Sequence, residues 1–130
     1  MPQTVMVVDD DKDILELAQL VLEGGGYRVI TAPSGAEALR TVTGIRPDLI
    51  LLDINMPGMD GWQVLRLLKV DERTCAIPVA LFSIKSQVRD RVQGLQGGAC
   101  AYVSKPFACD ELLGRVREIL DTLKDGAATA

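Results

Sequence analysis

The chain has 130 residues, of which 48% are hydrophobic and 25% charged, and its formal net charge is −4. This length suits one domain with a buried core, and the acidic balance argues against a basic nucleic-acid surface. The chain contains no histidine, which excludes Ser-His triads, His-based acid–base catalysis and imidazole metal ligands.

Five short segments rich in apolar and β-branched residues are predicted to be strands. They are separated by longer segments in which apolar residues recur at helical spacing. Five such strand–helix units indicate α/β architecture, with a parallel sheet and helices on both faces. We expect a doubly wound sheet of order 2-1-3-4-5 in one domain over residues 1–130, with a core at 4–123 and a frayed tail at 124–130. The strands are predicted at residues 5–8, 27–31, 49–52, 79–82 and 101–103.

The helices between these strands are predicted from their ends and their apolar faces. The first helix ends at three glycines, residues 24–26, and the second opens with Ser34 and Glu37, the spacing of a capping box. The third starts near Gly61, and the fourth carries only a thin apolar stripe. The residues expected to face the core are Ile14, Ala18, Val21 and Leu22; Ala38, Leu39 and Val42; Val64, Leu65 and Leu68; Val88, Val92 and Leu95; and Leu112, Val116, Ile119 and Leu123.

Acidic residues follow the first and third predicted strands. Asp9, Asp10 and Asp11 come directly after the first strand, and Asp53 comes after the third. These strands are neighbours in the expected order, so Asp9, Asp10 and Asp53 should meet at one edge of the sheet. Two carboxylates about 4 Å apart repel by roughly 4 kcal/mol at an effective dielectric near 20, so this cluster requires a cation. Asp11 is instead expected to cap the helix that begins near Lys12.

Four segments together resemble the receiver domain of response regulators in bacterial two-component signalling. Each lies at the carboxyl end of a predicted strand, and their joint occurrence in this order is specific although each alone is weak. The resemblance covers residues 4–123 and implies a flavodoxin-like, CheY-like (βα)5 fold. The segments are VVDDD at residues 7–11, LLDINMPGMDG at 51–61, LFS at 81–83 and YVSKPF at 102–107.

The resemblance implies that Asp53 accepts a phosphoryl group in the presence of Mg²⁺ or Mn²⁺. The expected direct ligands of the cation are Asp10, Asp53 and the backbone carbonyl of Asn55, whereas Asp9 is expected to act through water. Lys105 is expected to form a salt bridge to the phosphoryl group. That role suits an ammonium, because a phosphoryl group adds about 1.5 to 2 negative charges.

Two further residues are implied to form a switch that responds to the new anion. The hydroxyl of Ser83 would hydrogen-bond a phosphoryl oxygen, and Tyr102 would then rotate inward. The family places a cis peptide between Lys105 and Pro106, and Lys85 could attract an anionic donor or contact the phosphoryl oxygens. The surface expected to move consists of the fourth predicted helix, the fifth strand and the fifth helix.

The resemblance also implies partners and a cellular compartment. The donor would be a sensor histidine kinase or a phosphotransfer protein, and the recipient of the signal a downstream protein or a missing output domain. Phosphorylation could drive dimerisation through the moving surface. The first four residues do not resemble a signal peptide, no apolar run could span a membrane, and the three cysteines include no CxxC pair. We therefore expect a cytoplasmic signalling protein that is not an enzyme and contacts neither membrane nor nucleic acid.

Some alternatives remain open at this point, and one is excluded. The chain could be a receiver module from a larger multidomain regulator or hybrid kinase. An aspartate-based phosphatase also uses an Asp at a strand tip, but it needs a second Asp two residues later, where this chain has Asn55. A flavodoxin-like cofactor binder would want a neutral phosphate loop where Asp9, Asp10 and Asp11 stand. A nucleotide hydrolase would need the GxxxxGK[ST] motif, which is absent.

Ile84 occupies a position where the family usually has a small residue. A branched side chain next to Ser83 would crowd the phosphoryl group and shield it from water. We therefore predict that Ile84→Ala shortens the lifetime of the phosphoryl group on Asp53, as measured by loss of radiolabel. A variant that loses its label no faster than the parent would contradict this expectation.

Overall fold

The computed structural model describes residues 2–84, 97–105 and 107–129. The predicted helix carrying Val88, Val92 and Leu95 lies outside these ranges, so the C-terminal helix takes the label α4. Five strands and four helices are described in these ranges. They are β1 (Thr4–Val8), α1 (Lys12–Gly24), β2 (Arg28–Ala32), α2 (Gly35–Ile45), β3 (Leu49–Asp53), α3 (Gly61–Val70), β4 (Val79–Ile84), β5 (Ala101–Lys105) and α4 (Cys109–Thr129).

The five strands form one parallel sheet in the order β2-β1-β3-β4-β5, which confirms the predicted topology. β1 and β3 lie side by side, with Val8 opposite Leu52, and β4 continues the sheet with Phe82 opposite Asp53. Every residue of β3 is buried, as is expected for a central strand that is apolar on both faces. The carboxyl ends of β1 and β3 therefore open at the same edge of the sheet.

Alternate residues of the central strands pack into two separate layers. Met6 and Leu52 belong to the layer that includes buried residues of α2 and α3. Val7, Leu51 and Phe82 belong to the opposite layer, which includes buried residues of α1 and α4. With helices on both faces, the sheet is held rigidly, and its carboxyl edge is a fixed platform for side chains.

The helix caps agree in part with the sequence predictions. Asp11 caps α1, because its side chain accepts hydrogen bonds from backbone N–H groups of the first turn. Ser34 caps α2 by accepting from the backbone N–H of Glu37 at 3.2 Å. A reciprocal capping box is formed by Asp60 and Gln63 at the start of α3, where each side chain accepts from the other's backbone N–H.

The apolar faces of two helices differ slightly from the predicted faces. In α1 the core residues include Leu15, whereas Ile14 and Val21 pack only at the margin of the core. In α4 Leu120 is also buried, and Leu123 is partly buried. A shift by one position along a helix rotates a side chain by about 100°, so the width of an apolar face depends on the elements packed against it.

Strand and helix ends extend beyond several predicted boundaries. β4 and β5 continue far enough to pair Ser83 with Ser104, so Ser83 lies within a strand rather than after it. The backbone of α4 is helical as far as Thr129, and the frayed tail expected at residues 124–130 stays a prediction.

The three cysteines are free and exposed. Within the described ranges, none of the helices combines the length and the apolar character needed to cross a membrane.

Arg46 ends α2 in a left-handed backbone conformation, with φ of 51°. Its N–H donates to the carbonyl oxygen of Val42 at 2.8 Å, which is the hydrogen bond of an αL cap. Glycine adopts this conformation without the steric cost of a Cβ atom. We expect Arg46→Gly to raise the free energy of unfolding by about 0.5 to 1 kcal/mol in urea denaturation.

Arg40→Gly is a matched control, because the same change then falls in the interior of α2. It should lower the free energy of unfolding by about 1 kcal/mol. A loss of stability in Arg46→Gly as well would contradict the proposed relief of backbone strain.

Candidate metal centre at the carboxyl edge of the sheet

Three acidic side chains converge where β1 and β3 end. Asp9, Asp10 and Asp53 each offer a carboxylate oxygen, and these atoms all lie within 4.8 Å of one another. Asp9 is 1% exposed and Asp53 3% exposed, whereas Asp10 faces solvent. The structure thus brings together the three acids that the sequence placed at one edge, while their individual roles stay predictions.

Lys105 reaches into this acidic cluster from the end of β5. Its Nζ lies 2.8 Å from Oδ2 of Asp9 and 3.3 Å from Oδ1 of Asp53. Burial alone would lower the pKa of Lys105, but the hydrogen bond to Asp9 and the charges of both acids outweigh it, so the pKa is raised. Lys105 therefore stays protonated and offsets part of the negative charge of the cluster.

The carboxyl group of Asp53 is held in its neutral form over an unusually wide pH range. Burial, followed by the negative charge of Asp9, raises its pKa to about 6 from a model-peptide value of 3.8. The charge of Lys105 and the hydrogen bond from the backbone N–H of Asn55 act in the opposite direction. A divalent cation would add a strong opposing charge and favour the carboxylate.

Backbone N–H groups hold the two buried carboxylates in place. The N–H of Asp11 donates to Oδ1 of Asp9 at 3.0 Å, and the N–H of Asn55 donates to Oδ1 of Asp53 at 3.2 Å. A set of carboxylate oxygens, with a backbone carbonyl next to them in the chain, suits a hard cation such as Mg²⁺ or Mn²⁺. The acidic cluster fits such an ion, and the assignment of direct and water-mediated ligands stays a prediction.

The predicted switch residues lie in the two strands beyond β3. Ser83 is one residue past Phe82, the partner of Asp53 in the sheet, so its backbone reaches the same edge. The position of its hydroxyl falls outside what the structure describes. Tyr102 is partly buried in β5 against the layer of α2 and α3, and its carbonyl oxygen accepts from Nε of Arg115 at 3.2 Å.

Several other predictions fall on residues that the structure does not describe. Lys85, Pro106 and the predicted fourth helix lie outside the described ranges. The cis peptide, the contact of Lys85 with a donor and the composition of the moving surface therefore remain predictions.

An aromatic pair beside Lys105 was not predicted from the sequence. The Nζ of Lys105 lies 5.0 Å from the centroid of the Phe82 ring, and the Phe82 and Phe107 rings are 5.6 Å apart. A cation over an aromatic face is stabilised by the ring quadrupole. Both phenylalanines were part of the recognised segments, but nothing in their spacing indicated that they would support the lysine.

Comparison with known proteins gives the same family throughout. Residues 5–117 match the family model described as the response regulator receiver domain. The chain is 47% identical over 116 residues to the transcriptional regulatory protein PrrA of Mycobacterium tuberculosis, covering 89% of this chain and 49% of PrrA. It is 41% identical over 128 residues to the DNA-binding response regulator MtrA of Mycolicibacterium smegmatis, covering 98% and 55%. The chain thus spans about half the length of these relatives.

Solved structures show the same fold over nearly the whole chain. A putative response regulator from Chloroflexus aurantiacus superposes with a TM-score of 0.87 at 35% identity, covering 93% of this chain and 99% of that one. The chemotaxis response regulator CheY4 of Vibrio cholerae superposes with a TM-score of 0.85 at 28% identity, covering 92% and 99%.

The raised pKa of Asp53 predicts a pH-dependent effect of its removal. A buried carboxyl whose pKa is higher in the fold supports folding fully below about pH 4 and loses that contribution as the pH rises through about 6. Metal-free Asp53→Asn should therefore be about 1 to 3 kcal/mol more stable than the parent near neutral pH. The difference should shrink on acidification.

Urea unfolding in the presence of a chelator, repeated at several pH values, measures this difference. If Asp53→Asn is more stable than the parent by the same amount at low pH, the ionised Asp53 carboxylate is not the cause of the stability difference.

Proposed function

Because the chain belongs to the response regulator receiver domain family, we propose that it accepts a phosphoryl group on Asp53 and relays a signal through the resulting change in structure. The observation that supports this proposal most is the setting of Asp53. It is a buried carboxylate at a strand end, with two acids within 4.8 Å and the ammonium of Lys105 at 3.3 Å. A nucleophile, a cation site and a fixed positive charge thus meet at one point.

In the proposed reaction, a carboxylate oxygen of Asp53 attacks the phosphorus of a phosphohistidine on a partner kinase or phosphotransfer protein. A P–O bond forms as the P–N bond breaks, and the imidazole of the donor leaves. Lys105 is already within reach of Asp53, so its charge can offset the charge on the transferred oxygens without a large movement. Asp53 must be ionised to attack, and the charge of Lys105 favours that form, as a bound divalent cation would.

Mg²⁺ or Mn²⁺ is the proposed cofactor. When bound, the ion neutralises charge on the carboxylates and on the phosphoryl oxygens. Asp10, Asp53 and the backbone carbonyl of Asn55 are the proposed direct ligands, with Asp9 acting through water. The pairing of Asp9 with Lys105 supports an indirect role, since one oxygen of Asp9 is already engaged.

The proposed response to phosphorylation begins at Ser83 and Tyr102. The hydroxyl of Ser83 would move toward the phosphoryl group and donate a hydrogen bond to one of its oxygens. Tyr102 would then turn into the space that the hydroxyl leaves. β5 carries both Tyr102 and Lys105, so it connects the site with α4. We propose that the surface that changes consists of β5, the C-terminal helix α4 and the helix predicted to carry Val88, Val92 and Leu95. This surface would mediate any phosphorylation-dependent dimer.

The proposed partners follow from the relatives. PrrA and MtrA are named as regulators of transcription or as DNA-binding regulators, and both are about twice as long as this chain. We propose that residues 1–130 form a single receiver domain that acts on a downstream protein or an output domain. Contact with DNA would then belong to another module. The same proposal includes a histidine kinase as the donor, a cytoplasmic location, and a role in signalling rather than in enzymatic turnover.

We expect Asp53→Asn to abolish covalent labelling by a small radioactive phosphodonor in the presence of Mg²⁺. The amide oxygen of Asn is a poor nucleophile, so no acyl phosphate should form. Intact-protein mass spectrometry would detect one added phosphoryl group in the parent and none in the variant.

Asp48→Asn is the matched control, because Asp48 lies at the opposite end of β3, where its carboxylate accepts from the N–H of Thr4 at 2.7 Å. That variant should be labelled like the parent. Labelling of Asp53→Asn at the level of the parent would disprove Asp53 as the phosphoacceptor.

A further inference from the structure

Gly61, the first residue of α3, lies directly against the backbone of the proposed phosphoacceptor. Its N–H donates to the carbonyl oxygen of Ile54 at 2.9 Å. A Cβ atom placed on Gly61 would lie 2.3 Å from the carbonyl oxygen of Asp53 and 2.6 Å from Cα of Ile54. Contacts of Cβ atoms under 3.0 Å essentially do not occur, so this approach requires glycine.

The elements on both sides of this contact are firmly held. β3 is paired with β1 on one side and with β4 on the other, and Asp53 itself lies opposite Phe82. α3 is anchored by Val64, Leu65 and Leu68, each of which is at most 2% exposed. A side chain at position 61 therefore could not be accommodated by a free movement of the strand or the helix.

Residues 54–60, which we call the β3–α3 loop, join the two sides. Ile54 and Met56 are buried in the core layer of α2 and α3, and the capping box of Asp60 and Gln63 fixes the far end of the loop. Asn55 lies between these anchors, and its N–H holds Oδ1 of Asp53. A displacement at Gly61 would thus be passed to Asn55 and to the carboxylate of Asp53.

We propose that Gly61 is a positioning residue for the metal centre. The absence of a side chain lets α3 press on the backbone of Asp53 and Ile54, and this contact fixes the Asp53 carboxylate and the Asn55 carbonyl for a small cation. The inference rests on the proposed function, since it assigns Gly61 to the same cation site.

The proposal predicts a loss that depends on the size of the cation. An added methyl group would have to move from 2.3 Å to at least 3.0 Å, so the loop or the helix start would shift by about 0.7 Å. Mg²⁺ demands a near-ideal octahedron with bonds of about 2.0 to 2.1 Å, whereas Ca²⁺ accepts irregular sites with bonds of about 2.3 to 2.6 Å. Mg²⁺ should therefore be far more sensitive to the shift than Ca²⁺.

The experiment is calorimetric titration of the metal-free chain of residues 1–130 and its Gly61→Ala variant with Mg²⁺ and, separately, with Ca²⁺. We expect the affinity for Mg²⁺ to fall about tenfold or more, in the range seen for residues that orient metal ligands. The affinity for Ca²⁺ should change less than about threefold. An unchanged affinity for Mg²⁺, or an equal loss for both ions, would overturn the proposal.

Gly35→Ala is the matched control. A Cβ atom on Gly35 would lie 2.5 Å from Cγ2 of Val64, so the new methyl also presses on α3, but against a side chain. This variant should lose stability while it keeps the ratio of Mg²⁺ to Ca²⁺ affinity of the parent. If Gly35→Ala alters the ratio as strongly as Gly61→Ala, general loosening of α3 explains the effect and the proposal fails.

Asp60→Ala decides the question if Gly61→Ala does not fold. It removes the cap of α3 without adding bulk, so the far end of the β3–α3 loop loosens. The Mg²⁺ to Ca²⁺ ratio should fall by about threefold, and an unchanged ratio would overturn the proposal.

Measurements on the parent chain distinguish a failure of the proposed function from a failure of the role of Gly61. If it binds no Mg²⁺ and takes no phosphoryl label, the proposed function fails. If it does both, and Gly61→Ala keeps the parent's affinity for Mg²⁺, only the role of Gly61 fails.

Discussion

The main physical constraint in this domain is electrostatic, because Asp9 and Asp53 are confined together at the carboxyl ends of two neighbouring strands. Both side chains are almost fully withdrawn from water, and Lys105 contacts both of them. Burial and mutual repulsion raise the pKa of Asp53 to about 6, so the cluster opposes its own ionisation. The two packed layers hold the strands together in spite of this repulsion, and a bound cation would reduce the repulsion between the carboxylates.

The same constraint ties the site to distant parts of the domain. Lys105 is the last residue of β5, and Tyr102 lies three positions earlier in the same strand, where its carbonyl oxygen accepts from Arg115 of α4. On the other side, Gly61 brings α3 against the backbone of Asp53. Strand β5 and helix α3 thus reach the acidic cluster directly, so a new charge on Asp53 would act on both elements at once.

The amino-acid pattern alone was enough to predict the parallel order of the strands and the identity of the acidic cluster. Periodicity separates strands from helices, and the rules for parallel sheets then place the first and third strands side by side. Because acidic residues follow those two strands, the meeting of Asp9, Asp10 and Asp53 could be predicted without coordinates. The cap at Asp11 was predictable for the same reason, since a cap depends only on residues close in sequence.

The contacts that these residues make could be identified only in the folded structure. The pairing of Lys105 with Asp9, the support of its ammonium by Phe82 and the contact of Gly61 with Asp53 each join different elements of the fold. Such contacts depend on how each helix is rotated and how closely it approaches the sheet. A shift of less than 1 Å or of one residue along a helix would change them while leaving every local sequence pattern intact, so the pattern of the chain does not contain them.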